Sequence, residues 1–110
     1  MAYDEDLANR LRELLQDERG VTEKKMFGGL AFLVGGNMSV AVSGQGGLLV
    51  RVDPSETEKL VVRKGASRFE MRGREMDGWL RVSEDGMRTA RDLERWVRIG
   101  MEYATSLPKK

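Results

Sequence analysis

With 110 residues, 40% of them apolar and set in periodic blocks, the chain has the size of one folded domain with a modest core. Its 19 basic and 18 acidic residues leave a net charge of +1, which gives no whole-molecule steering toward nucleic acid or an anionic membrane. Zero cysteines and zero histidines exclude disulfides, thiol catalysis and zinc–thiolate sites, and they remove the commonest general base and transition-metal ligand, so no cofactor is expected.

The chain begins with an acidic run, Asp4-Glu5-Asp6, where a signal peptide is basic. No apolar stretch nears the ~18 residues that span a bilayer, so a cytoplasmic chain without membrane partners is expected. A first helix is predicted over 4–18: Asp4 caps it, Leu7, Leu11, Leu14 and Leu15 share one face, and Gly20 stops it. Strands follow at 29–34, 38–43 and 48–52, joined by glycine-rich turns that favour an antiparallel meander. The first is apolar on both faces. Alternation puts Met38, Val40 and Val42 together on the second, and Leu48, Val50 and Val52 inward on the third. Asp53-Pro54-Ser55-Glu56 signals a short helix ending near residue 63. Two more strands are expected at 68–72 and 78–82, with Phe69, Met71, Leu80 and Val82 toward the core. A last helix is expected over 89–106, with Leu93, Trp96, Val97, Gly100, Ala104 and Leu107 on one side. The order is α-βββ-α-ββ-α. It reads as one α+β domain over 1–110 in two layers, with three helices on an antiparallel sheet of about five strands.

Most motif-like features have plain structural accounts. Gly44-Gln45-Gly46 begins a dinucleotide fingerprint but leads into a strand, so turn glycines explain it better. The carboxylate pairs Asp53/Glu56, Glu75/Asp77 and Glu84/Asp85 lie in turns or at a helix start, where acids cap backbone groups. Arg88, Arg91, Arg95 and Arg98 fall within an arc of about 80° on the last helix, at about 100° per residue. Acids three and four residues away make this face better read as solvated ion pairs than as a phosphate track. Two features stay open. Lys24, Lys25, Phe27, Gly28 and Gly29 could form an exposed cationic and aromatic contact turn, although packing of Met26 and Phe27 with permissive glycines is the plainer account. Leu33 (or Phe32), Leu49 and Trp79 point away from the helices by alternation, and a greasy outer sheet face usually marks an interface; homodimerisation is the simplest form.

The runs K-K-M-F-G-G-L-A-F at 24–32, G-N-M at 36–38, L-L-V-R-V at 48–52 and M-D-G-W-L-R-V at 76–82 resemble the N-terminal domain of the TfoX/Sxy competence regulators. The resemblance covers nearly the whole chain. It implies a two-layer α+β fold similar to type III secretion chaperones. It also implies a regulatory role beside a transcription activator, with no catalytic residues carried over. Full-length members add a C-terminal helical domain, so a stand-alone form is expected here. The leading expectation is therefore a non-enzymatic protein-binding module, an adaptor in transcriptional regulation with a protein partner such as a transcription factor. The partner contacts are expected at Lys24, Lys25, Phe27, Gly28 and Gly29, with Arg91 and Arg95 as a second candidate. Direct nucleic-acid binding by a dimer, and a small-ligand or enzymatic site, are the alternatives.

Overall fold

Asp4 accepts the Leu7 N–H at 3.1 Å and opens α1 (Glu5–Leu15), whose Glu5 and Asp6 complement the positive end of its dipole. The computed structural model describes residues 3–26, 28–71 and 73–109, leaving aside the side chain of Met71. The helix ends at Leu15, short of the expected residue 18; Asp17 and Glu18 would place negative charge at the negative end of the dipole. Leu7, Leu11 and Leu15 are buried, whereas Leu14, expected on the same face, is 36% exposed.

The chain continues as β1 (Val21–Met26), β2 (Gly29–Val34), β3 (Asn37–Val42), β4 (Leu48–Arg51), α2 (Thr57–Val61), β5 (Ala66–Met71), β6 (Arg74–Val82) and α3 (Ala90–Ser106). The six strands form one sheet in the order β1-β2-β3-β4-β6-β5, with every neighbouring pair antiparallel. The α+β architecture is the expected one, with a sixth strand, β1, at an edge. Valine, threonine, glutamate and two lysines hide β1 from a hydrophobic-pattern reading. Its central helix-facing position is filled by Glu23, whose carboxylate takes two 2.8 Å hydrogen bonds from Arg12 of α1. Charge on an edge strand also blunts open-ended pairing.

α3 starts at Thr89, whose hydroxyl accepts the Asp92 N–H at 3.0 Å. Its buried residues Leu93, Trp96, Val97, Gly100, Met101 and Ala104 lie against β2, β3 and β4, with α1 alongside. One continuous core joins them to Leu30, Phe32, Val40, Val42, Leu48, Val50, Val52, Leu80 and Val82. Phe32 is thus a core residue, 1% exposed. α2 packs beside β5 and β6, where Thr57 accepts the Gly78 N–H at 2.9 Å.

Two register shifts decide which residues face away from this core. In β3 the pairing passes from Phe32↔Val40 to Leu33↔Met38, so Ser39 is an inserted bulge residue. Ser39 is buried and its hydroxyl donates to the Phe32 carbonyl at 2.9 Å. Between β5 and β6 the pairing jumps from Arg68↔Leu80 to Phe69↔Met76. Met38, expected inward, consequently turns to the face opposite Val40, and Met76 to the face opposite Leu80, because a bulge breaks the period of two on which alternation rests. Phe69, expected inward, lies on the open face through the unbroken alternation of β5, where Ala66 and Arg68 pair with the core residues Val82 and Leu80.

Candidate functional site

Helices cover one face of the sheet, and among the described residues nothing packs on the other. The register fixes one row across that open face: Lys24, Ala31, Ala41, Leu49, Arg81 and Ser67, one residue from each of the six strands. The alanines keep the middle of the row low. Bulkier side chains stand around them, and the face is concave. One concavity of about 510 Å³ is lined by Lys24, Met26, Leu33, Gly36, Met38, Leu49, Arg51, Phe69, Met76 and Trp79. A second, of about 270 Å³, shares Met26, Met38, Leu49 and Phe69 and extends over Ala31 and Ala41 to Gln45, Glu70 and Arg81. The floor is apolar and unusually rich in methionine, whose unbranched thioether side chains can repack around differently shaped partners.

Arg51 stands at the rim. Its guanidinium carbon lies 5.4 Å from the ring centre of Trp79 and 5.7 Å from that of Tyr103 on α3, a cation–π arrangement that holds the charge in place. Arg81 donates to the Gln45 side-chain oxygen at 3.0 Å and to the Gly46 carbonyl at 2.9 Å.

The other expected site residues separate. Lys24 and Lys25 lie in β1, not in a turn, and therefore point to opposite faces: Lys24 lines the concavity, while Lys25 shares the helix side with Glu23. Phe27 lies outside the described residues. Gly28 sits in the β1–β2 connection at φ +77°, a conformation that favours glycine. Gly29 is packed against β3 so closely that a Cβ would lie 2.1 Å from the Val42 carbonyl oxygen; its role is close strand approach. These glycines are explained by the fold. Arg91 and Arg95 are exposed on α3 and form no ion pair among the described residues, while Arg98 pairs with Glu94 at 2.8 Å. Arg88 precedes the helix and pairs with Asp85 at 2.7 Å, so the expected four-arginine stripe is not continuous.

The carboxylates do structural work. Asp53 accepts from the Ser55 hydroxyl and N–H, which pulls its carboxyl below the ordinary range. Arg88 does the same for Asp85, and Asp77 is paired with Arg68. Among the described residues no three acids gather as metal ligands would, and no helix is long and apolar enough to cross a membrane.

The family model of the TfoX N-terminal domain matches residues 13–104. The chain belongs to this family. Among curated proteins none matches it. The matched span of the TfoX N-terminal domain takes in all six strands, and so the whole open face of the sheet. Leu33, Leu49 and Trp79, picked out by alternation, come together on that face. Met26, Met38, Arg51, Phe69 and Met76 escape sequence reasoning. The bulges invert Met38 and Met76, the phase of β5 places Phe69 outward, Met26 belongs to the unexpected strand, and an arginine at a strand end reads as ordinary solvated charge. The G-N-M run after β2 carried a faint signal, since Asn37 is buried and donates from its side-chain amide to the Pro108 carbonyl at 2.9 Å.

Proposed function

We propose that this TfoX N-terminal domain is a non-enzymatic protein-binding module, an adaptor in transcriptional regulation, and that it docks its partner on the open face of the sheet. One observation carries the reading: Met26, Leu33, Met38, Leu49, Phe69, Met76 and Trp79, drawn from all six strands, line one concavity on a face that no helix covers. Leaving such a surface in water costs about 25 cal/mol per Å² of apolar area relative to covering it, and contiguous apolar patches on folded domains mark interaction sites. The groove between α1 and α3 has the same volume, about 510 Å³, yet it is bordered by Glu18, Glu94 and Glu102, and of its apolar lining Leu15, Val97 and Met101 are buried. The absence of histidine and cysteine, and carboxylates engaged as caps and ion pairs, support a binding role over catalysis.

The test is retention of a protein recovered from the native cell extract, identified, and then measured in purified form. Leu49→Lys should abolish its binding, whereas Arg91→Glu/Arg95→Glu should leave it intact. Binding unaffected by Leu49→Lys removes the sheet face as the docking surface. Tight DNA binding by the domain at physiological salt, lost in the arginine pair, replaces the reading with nucleic-acid recognition.

A further inference from the structure

The open face is not only apolar; the charges lining its concavities are mostly cationic. Lys24, Arg51 and Arg81 lie on it, and among the described residues none of them forms an ion pair with a carboxylate. Glu70, at the border of the smaller concavity, is the acid among the lining residues. A chain with net charge +1 has thus gathered unneutralised cations around the exposed apolar depression of its sheet. We propose that the occupant is an acidic amphipathic helix of a partner protein, its apolar stripe seated in the methionine-lined concavity and its flanking carboxylates meeting Lys24, Arg51 and Arg81. This deepens, and rests on, the protein-docking reading above.

Three physical arguments select that occupant. The backbone groups on a sheet face are already paired between strands, so an extended segment laid there would bury its own N–H and C=O groups without partners. A helix satisfies its backbone internally, and helix on sheet is a standard layer packing. Size agrees too: crossing the six strands takes five steps of ~4.8 Å, about 24 Å, which a helix of about 16 residues covers at ~1.5 Å per residue. Charge excludes the simplest alternative. A second copy stacked face to face would oppose like cations, which is unfavourable once water is displaced, whereas carboxylates on a helix would neutralise them. Arg51 is the anchor, because Trp79 and Tyr103 hold its guanidinium at the rim and less rotamer freedom is lost when it binds a carboxylate.

The experiment titrates the full chain with three synthetic helices of about 16 residues. They share one apolar stripe of Leu and Met at helical spacing and carry Glu, Gln or Lys at the flanking positions. The signals followed by NMR are the Trp79 indole N–H and the Met26, Met38 and Met76 methyl groups. The Glu helix should shift these signals and bind most tightly, and raising the salt to ~0.5 M should weaken it. Arg51→Gln should cost about tenfold in affinity, in line with loss of a hydrogen bond between charged groups. Lys24→Gln, on an exposed strand position where folding is not at risk, should cost about threefold. Equal or tighter binding by the Lys or Gln helix, or no shift with the Glu helix, overturns the acidic occupant. Concentration-dependent shifts of the same signals without peptide overturn it in favour of a second copy. Either result leaves the docking face standing unless Leu49→Lys also fails to disturb the recovered partner.

Discussion

Gly100→Ala sets helix propensity against packing, and the structure decides the sign. In an exposed helix interior this change is stabilising by about 1 kcal/mol, because glycine loses more backbone freedom than alanine. Here α3 crosses β3 at Gly100, and a Cβ would meet the Ser39 carbonyl oxygen at 2.6 Å and a Val40 methyl at 2.8 Å. The methyl can rotate away; the carbonyl cannot. It belongs to the bulge residue whose hydroxyl is bonded to the Phe32 carbonyl at 2.9 Å, so relief requires separating helix and sheet by several tenths of an ångström. Overpacking of that kind costs about 1–3 kcal/mol, with a backbone neighbour placing this site toward the upper end. After the propensity gain, a net loss of about 2 kcal/mol remains. Urea unfolding should show the midpoint falling by about 1 M at an unchanged slope. Thr105→Ala, on the exposed side of the same helix, should stay within about 0.5 kcal/mol of wild type. A midpoint for Gly100→Ala at or above that of the unaltered chain would refute the close approach.

Trp96 is 3% exposed within the core and has the Arg63 guanidinium 6.0 Å from its ring centre, so Trp96→Ala should cost about 3–5 kcal/mol in the same denaturation assay; a loss below about 1 kcal/mol would mean that α3 packs through another face. Arg12 holds the Glu23 carboxyl below its ordinary range through hydrogen bonding, so this contribution is present above the unfolded glutamate pKa and is lost as pH falls through the lowered folded value. Glu23→Gln should therefore flatten the acid side of the stability–pH curve below about pH 4.5 while costing under about 1 kcal/mol at neutral pH, as both side chains are partly solvated; an unchanged acid limb argues against the α1–β1 tie.

Elements with local causes were legible in the chain alone. Asp4 and Thr89 accept the backbone N–H groups expected of them, and the consecutive glycines 35 and 36 take φ values of 58° and 83°, as a tight hairpin turn requires. The apolar stripe of α3 and the alternation of β4 follow from side-chain geometry alone, and they led to a helix-covered face opposite a greasy one carrying Leu33, Leu49 and Trp79. Contacts between distant elements account for the remainder. β1 is a strand because β2 offers it a partner and Arg12 neutralises its inward glutamate, neither of which its own polar composition announces. Its pairing separates Lys24 from Lys25 across the sheet. Met38 and Met76 reach the open face because inserted residues in β3 and β6 reset the alternation, and where a strand bulges depends on what it packs against, in β3 the close passage of Gly100 over Ser39. A period of two is a property of an unbroken strand; the composition of the open face depends on where packing breaks it.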